Sequence, residues 1–237
     1  MESDPVARRG LRHLRAGVVG AAFSLLYNQF AWAYDRVSRT FFRGQWRHWQ
    51  RQALRHLGGI PGRTVLELGF GTGDLQIDLA RAGYQAVGID LSAAMGQQAR
   101  RKARRQGVRL RLARARSQAL PFPSATFAAV ISTFPSDYIA DPRTVAEIAR
   151  VLCPGGRLVV VPGAWLLPVD RANRLLDRVA RLVYGTQTRD PAYLERALAA
   201  AFPEFAALLA AHGLSARVLP QRLPRSMVLV IRADKGV

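Results

Sequence analysis

Val65-Leu66-Glu67-Leu68-Gly69-Phe70-Gly71-Thr72-Gly73 is the stretch that decides the fold of this 237-residue chain. Its apolar start predicts a buried strand, and a helix is expected from Asp74 onward. The three glycines predict a tight turn, because glycine adopts backbone conformations that other residues avoid. A strand, a glycine-rich turn and a helix in this order predict an open α/β sheet that binds a ligand at the turn.

A second strand end carries another acid, in Gly88-Ile89-Asp90-Leu91-Ser92. Asp90 lies 17 residues after Gly73, and a carboxylate at that spacing can accept hydrogen bonds from both hydroxyls of a ribose. Glu67 stands two residues before the first glycine, where it would repel a pyrophosphate but suit an amino group and a positive charge. The two acids therefore predict a nucleoside cofactor that carries a cationic group.

Four ordered motifs resemble those of the class I S-adenosylmethionine-dependent methyltransferases. The glycine-rich turn resembles their E-x-G-x-G-x-G motif, residues 119–130 (ALPFPSATFAAV) resemble the segment before their fourth strand, and residues 150–160 (RVLCPGGRLVV) resemble the turn into their fifth. Residues 27–35 (YNQFAWAYD) resemble the opening of the branch that includes the ubiquinone and menaquinone biosynthesis methyltransferases.

The resemblance implies S-adenosyl-L-methionine as the cofactor and assigns residues to it. Glu67 would hold its amino end and Asp90 its ribose hydroxyls, while the turn would let bare backbone approach. The other implied cofactor residues are Gly69, Phe70, Gly71 and Gly73 in the turn, Leu91, Ser117 and Leu120 near the adenine, Thr133 and Phe134 near the methionine part, and Tyr27 and Tyr34 closing over it. Asp137 and Tyr138 are the candidates for a general base, which is needed only if the acceptor must lose a proton.

One departure from the family concerns the adenine. Where the family often has an acid that binds the adenine amino group, this chain has Ala115-Arg116-Ser117-Gln118. Arginine cannot accept that hydrogen bond, so Ser117 or the backbone takes its place, or the adenine lies differently. Because of this departure, one alternative function stays open: a protein at a membrane surface that has the fold and a degenerate cofactor site.

Alternating strand and helix patterns predict a parallel sheet, with the ligand at the carboxyl ends of the strands. The resemblance implies a Rossmann-like, doubly wound, mostly parallel seven-stranded α/β sheet with helices on both faces, N-terminal helices and a helical insertion after the fifth strand. We expect strands at Thr64–Leu68, Ala86–Asp90, Val108–Ala113, Phe127–Ser132, Arg157–Val161, Ser215–Leu219 and Ser226–Ile231, and helices at Asp74–Ala82, Ala93–Gln106 and Pro142–Leu152.

Two segments are expected to cover this core. Residues 1–60 are predicted to form a basic, amphipathic helical segment over the site, and residues 61–237 the methyltransferase domain, with a helical cover at 165–212. After a loop marked by Pro162, Gly163 and Pro168, the cover is predicted to contain helices Val169–Tyr184 and Ala192–Ala211, with Gly213 as the C-cap. The uncharged stretch Ala16–Tyr34 is predicted to be a helix over the cofactor site, with a membrane-surface contact or a signal segment as alternatives.

The formal net charge of the chain is +19, and 33 of its 35 basic residues are arginine. Nine basic residues and no acid lie between Gln97 and Arg116, and Arg43, Arg47, Arg51 and Arg55 form a helical stripe. Both patterns are read as solvated faces or as surfaces for an anionic membrane or nucleic acid. No metal site is expected, because the four histidines are scattered and Cys153 is the lone cysteine.

The sequence therefore predicts methyl transfer to a small-molecule or lipid-like acceptor, of the quinone-precursor or aminophospholipid type. The protein is expected to be cytoplasmic, with peripheral attachment at the inner membrane face as an option. A nucleic-acid methyltransferase is the alternative that the arginines suggest, but the tetrapeptide N/D-P-P-F/Y of amino-directed nucleic-acid enzymes is absent, since the corresponding residues are Phe134-Pro135-Ser136-Asp137.

Overall fold

The computed structural model describes residues 45–60, 62–167 and 202–237. Tyr27, Tyr34 and the uncharged stretch Ala16–Tyr34 lie outside the described residues, as do the predicted helix Val169–Tyr184 and the first half of Ala192–Ala211. Within the described ranges, no helix is both long enough and apolar enough to cross a bilayer.

Seven strands form the sheet: β1 (Thr64–Leu68), β2 (Gln85–Asp90), β3 (Arg111–Arg114), β4 (Phe127–Thr133), β5 (Leu152–Leu166), β6 (Leu214–Leu223) and β7 (Ser226–Lys235). Their order across the sheet is β3-β2-β1-β4-β5-β7-β6. The first five strands pair in parallel, whereas β7 is antiparallel to both of its neighbours. The predicted Rossmann-like, mostly parallel seven-stranded sheet is confirmed.

The site is positioned by the three central strands. Leu68, the last residue of β1, is in register with Ile89 of β2 and with Ser132 of β4. Every residue of β4 is buried, as expected for a central parallel strand covered on both faces. Because the three strands end at matching positions, the residues that follow them meet at one edge of the sheet.

The predicted loop after the fifth strand is wrong. β5 continues through Pro162 and Gly163 to Leu166, because β7 pairs with it along its length, from Arg157 opposite Asp234 to Leu166 opposite Ser226. The register shifts between Val160 and Gly163, and such a bulge tolerates a proline, which lacks an N–H for the ladder. The predicted helical cover therefore cannot begin at residue 165, where the chain is still a strand.

Three further strand bounds also differ from the prediction. β3 begins at Arg111 rather than Val108, because the N–H of Val108 donates to the carbonyl of Ala103 (3.0 Å) and ends the preceding helix. β6 and β7 each have 10 residues, longer than predicted, because the two strands pair with each other from end to end. The two strands form a hairpin across the two-residue connection at 224–225.

Helices cover both faces of the sheet. They are α1 (Gln45–Gln50), a 3-10 helix (Arg51–His56), α2 (Asp74–Arg81), α3 (Ala93–Arg105), α4 (Pro142–Val151) and a helical segment at 202–210. On one face Leu66 packs with Ile148 of α4. On the other face Val65 packs with Trp49 of α1 and Leu75 of α2. Gly213 has a φ of +73° just after the segment 202–210, which fits the predicted C-cap.

An ion-pair cluster fastens the first helical segment to α2. Arg47 and Arg51 each donate two hydrogen bonds to the buried carboxylate of Asp78, at 2.7–2.9 Å. These two arginines of the predicted stripe are thus held by one acid, while their side chains stay partly solvated, with 33% of Arg47 and 46% of Arg51 exposed. Burial by itself would raise the pKa of Asp78, but the hydrogen bonds from Arg51 and Arg47 outweigh it and hold that pKa below its ordinary value.

Replacing Asp78 with asparagine should destabilise the fold. The carboxylate is lost while both guanidiniums stay partly solvated, so we expect the free energy of unfolding to fall by about 1–3 kcal/mol at pH 7. Because the pKa of Asp78 is depressed in the folded state, its stabilisation is present above the unfolded pKa and is lost as the pH falls through the folded value. Urea unfolding at pH 7 and in acid measures both effects. Asp137→Asn, at an exposed position, is the matched control, and an equal unfolding midpoint for the two variants would contradict the prediction.

Candidate active site

The glycine-rich turn joins β1 to α2 by backbone geometry that only glycine adopts easily. Gly69 has a φ of +73° and Gly73, the N-cap of α2, a φ of +80°. A Cβ on Gly69 would lie 2.8 Å from the hydroxyl oxygen of Tyr138, and one on Gly73 would lie 2.7 Å from the Cβ of Ala99. Both positions therefore require glycine, because another residue would strain the backbone and its Cβ would clash with a neighbour.

Asp90 connects the end of β2 to this turn. Its Oδ2 accepts a hydrogen bond from the N–H of Gly71 (2.9 Å), and its Oδ1 accepts one from the N–H of Ser92 (2.8 Å). These bonds orient the carboxylate at the edge of the crevice between β1 and β2. A carboxylate has about four acceptor positions, and these two bonds occupy one on each oxygen.

Glu67 is completely buried on β1. Gln76 of α2 donates to its Oε2 (2.8 Å), whereas its Oε1 has no hydrogen-bond partner among the described residues. Burial raises the pKa of Glu67 to about 8, the bond from Gln76 opposes that shift, and the nearby charge of Asp90 adds to it. The crevice therefore holds a protonatable acid whose second oxygen is available to an ammonium group.

These residues fit the nucleoside cofactor that the sequence implies. The orphaned Oε1 of Glu67 suits its amino group, the carboxylate of Asp90 suits a ribose diol, and the turn at Gly69–Gly73 leaves room for close approach. A bound cation would also favour the ionised form of Glu67. The two acids lie at the ends of adjacent strands, as the sequence predicted.

Tyr138 reaches the crevice from the 3-10 helix Asp137–Ala140 that follows β4. Its hydroxyl lies 2.7 Å from the Oγ of Ser132 and 3.1 Å from the carbonyl oxygen of Leu68. Burial, and then the nearby charges of Asp90 and Glu67, raise its pKa above the ordinary value for tyrosine. The hydroxyl is therefore neutral at physiological pH, which suits a positioning residue better than a general base. Asp137, the other candidate, is exposed.

Thr133 and Phe134 lie at the end of β4, as predicted. The side-chain amide of Gln50 donates to the Oγ1 of Thr133 (3.2 Å). Phe134 has a φ of +51°, and its ring stacks on Trp46 with centroids 4.1 Å apart. A left-handed conformation at a bulky residue costs about 1–3 kcal/mol and persists only where the surroundings enforce it. Such strain is typical of functional sites.

The remaining predicted cofactor residues lie at different depths. Leu91 is 54% exposed beside Asp90. Ser117 is buried, and its hydroxyl accepts a hydrogen bond from Thr144 (3.2 Å). The side chains of Phe70 and Leu120 are buried. The adenine contacts of Leu91, Ser117 and Leu120 stay predictions.

Three functional candidates were missed from the sequence. Gln76 carried a weak signal, because it is a polar residue between the apolar positions Leu75 and Ile77 in the first turn of a helix. Gln50 and Trp46 carried no sequence signal that connects them to the site. Their partners, Thr133 and Phe134, lie more than 80 residues further along the chain. Across the described part of the chain, no group of three or more His, Cys, Asp or Glu side chains could hold a metal ion.

Comparison with known proteins agrees with this geometry. A family model described as "Methyltransferase domain" matches residues 65–156. A demethylmenaquinone methyltransferase from Tropheryma whipplei (strain Twist) is 36% identical over 178 residues, which cover 72% of this chain and 72% of the relative.

Solved structures show the same fold at low sequence identity. A protein from Methanococcus maripaludis matches with a TM-score of 0.62 at 17% identity, over 89% of this chain and 94% of its own. It is provisionally described as an S-adenosyl-L-methionine-dependent methyltransferase. Geranyl diphosphate C-methyltransferase from Streptomyces coelicolor A3(2), in complex with Mg²⁺, geranyl diphosphate and S-adenosyl-L-homocysteine, matches with a TM-score of 0.52 at 16% identity, over 78% and 76%.

Binding of S-adenosyl-L-methionine should release a proton from Glu67. With a pKa of about 8, Glu67 is about 90% protonated at pH 7, and the incoming ammonium favours the carboxylate. Titration calorimetry in buffers of different ionisation enthalpy should show about 0.9 more protons released by the wild type than by Glu67→Gln. At pH 9.5 the difference should vanish, because the acid is already ionised. Equal proton release by both proteins at pH 7 would contradict the assignment.

Proposed function

This chain belongs to the S-adenosylmethionine-dependent methyltransferase family, and we propose that it transfers the methyl group to a quinol-type aromatic ring that carries an apolar chain. The proposal takes its direction from the relative, whose name specifies demethylmenaquinone as the molecule that is methylated. An acceptor of this kind has a flat ring that needs an aromatic surface beside the methyl donor.

The observation that carries the proposal is the stacked pair of Trp46 and Phe134. Phe134 directly follows Thr133, the last residue of β4, so the pair borders the edge of the sheet where the glycine turn begins. Trp49, which is buried in the core, supports the pair from behind, with its centroid 6.2 Å from that of Phe134. Aromatic side chains bind flat apolar ligands by stacking and by burial of apolar area.

The described residues have a mainly positional task in the proposed reaction. The cofactor supplies a methyl group that its sulfonium makes electrophilic. Glu67 would hold the amino group of the cofactor and Asp90 its ribose, and holding two reactants in line can account for about 7–11 kcal/mol of a barrier. The Tyr138 hydroxyl, between Ser132 and the carbonyl of Leu68, keeps the end of β1 in place beside the acceptor.

Transfer of tritium from labelled cofactor tests the proposal. Purified protein should label a prenylated 1,4-naphthoquinol and leave phosphatidylethanolamine unlabelled. Asp90→Ala should lower the affinity for the cofactor at least tenfold, because it removes a charged acceptor of hydrogen bonds. Trp46→Ala should instead raise the KM for the quinol and leave cofactor affinity within about twofold, since the proposal places the ring of Trp46 on the acceptor side. Label in the phospholipid alone, or in neither compound, would overturn the proposal.

We further propose that the protein binds peripherally to an anionic membrane surface on its cytoplasmic side. The support lies at one edge of the sheet, where β3 is the last strand and α3 packs beside it. The Nε of Arg114 donates to the carbonyl of Leu91 (2.9 Å), next to Asp90, so this edge adjoins the crevice. Eight arginines there have exposed side chains: Arg100, Arg101, Arg104, Arg105, Arg109, Arg111, Arg114 and Arg116. A chained quinol resides in a bilayer, and anionic lipids attract such a surface.

Flotation with vesicles tests this second proposal. Arg104→Gln combined with Arg105→Gln should weaken binding to vesicles containing phosphatidylglycerol about thirtyfold, since each arginine near the surface contributes about 1 kcal/mol. Arg222→Gln combined with Arg225→Gln removes the same charge from the opposite edge, where both side chains are exposed, and should change binding little. Equal losses in the two double variants, or binding to RNA with no binding to vesicles, would exclude the membrane surface.

A further inference from the structure

A polar pair lies next to the aromatic surface. Gln50 is 9% exposed at the end of α1, and its Nε2 donates to the Oγ1 of Thr133 (3.2 Å). Its Oε1 is buried and has no hydrogen-bond partner among the described residues. What distinguishes Gln50 from the other buried glutamines of the described chain is its bond to the end of β4, and its unpartnered oxygen can accept a hydrogen bond from a ligand bound there.

The pair stands at the edge of the cofactor crevice. Ser132 is in register with Leu68, the last residue of β1, so β4 reaches Thr133 at the level where the glycine turn begins with Gly69. Adjacent strands are separated by about 4.8 Å. A group bound at Gln50 and Thr133 is therefore a direct neighbour of the glycine turn.

The hydrogen-bonding capacity of the pair is mixed. The hydroxyl of Thr133 accepts from Gln50 and keeps its own proton for donation, whereas the Oε1 of Gln50 can only accept. Phe134, the residue after Thr133, presents its ring to Trp46. One hydrogen-bond acceptor and one donor thus stand beside an aromatic stack.

We infer that Gln50 and Thr133 form a recognition site for the hydroxyl group of a flat aromatic acceptor. The ring hydroxyl donates to the Oε1 of Gln50 and accepts from the hydroxyl of Thr133, while the ring lies along the stack of Phe134 and Trp46. The inference rests on the proposed function, since it assigns the acceptor side of the same site. It predicts that the hydroxylated ring is selected over one whose oxygen has no proton to donate.

A second glutamine provides the matched control. Gln52 is also buried, its Nε2 donates to the carbonyl of His48 (2.8 Å), and its Oε1 likewise has no partner among the described residues. This amide is bonded within its own helical segment instead of to the end of β4. Gln52→Leu therefore reproduces the structural disturbance of Gln50→Leu without touching the proposed site.

The experiment compares two probes that differ only at the hydroxyl. Calorimetry measures binding of 1-naphthol and of 1-methoxynaphthalene to the full chain saturated with S-adenosylhomocysteine. The wild type should bind 1-naphthol about tenfold more tightly, as expected for one buried hydrogen bond. Gln50→Leu should abolish this preference and Gln52→Leu should keep it. Affinity for S-adenosylhomocysteine should stay within about twofold in both variants.

Three results would overturn the inference: no preference in the wild type, an unchanged preference in Gln50→Leu, or an equal loss in Gln52→Leu. If Gln50→Leu does not fold, Thr133→Val is tested in its place, because valine keeps the shape of the threonine side chain. A full preference for 1-naphthol in Thr133→Val would then contradict the site. The proposed function is tested separately by methyl transfer. A hydroxyl preference without transfer to the quinol refutes the function alone, and transfer without the preference refutes this site alone.

Discussion

The hydrogen bonds that Asp90 accepts from Gly71 and Ser92 hold the crevice together. Parallel strands bring their carboxyl ends to one edge, but the loops that follow are not thereby fixed to each other. Asp90 links the end of β2 to the turn after β1. The hydroxyls of Ser132 and Tyr138, both at the carbonyl of Leu68, link that turn to β4. Three strand ends thus become one rigid edge, on which a cofactor and an acceptor can be aligned.

The acids of the chain differ in their partners: most of those described pair with basic side chains, whereas Glu67 does not. Within the described residues, Asp78, Glu147 and Asp234 are all engaged by arginine side chains, and Asp74 is engaged by Lys102. Glu67 has Gln76 as its hydrogen-bond donor, and that neutral amide leaves its pKa raised. The chain has 16 acids against 35 basic residues, and the arginines of the described α3 and β3 have exposed side chains. Within the described residues, positive charge is therefore concentrated at that surface, while the crevice holds the acids Glu67 and Asp90.

The parts that could be predicted from the sequence are those with local patterns. The strand before Gly69, the acid at Asp90 and the alternation of strands and helices are each contained in short stretches, and the structure confirms the sheet that they imply. The length of β5 was missed because it depends on pairing with β7, which is distant in sequence. The approach of Gln50 to Thr133 was missed for the same reason. Periodicity shows which face of a helix is apolar, but it does not show which strand end that face will meet.

The first helical segment illustrates why the acceptor side of the site requires the whole fold. α1 depends on the rest of the fold, because most of the stability of a helix in a protein comes from tertiary packing. It is held by three side chains that bond to three different elements: Arg47 to Asp78 of α2, Trp49 to Ser226 of β7 (2.9 Å), and Gln50 to Thr133 of β4. Bonds in three directions fix both the position and the rotation of the segment. Since Trp46 extends from the same turn, the aromatic surface is fixed relative to the glycine turn by contacts that lie outside the crevice.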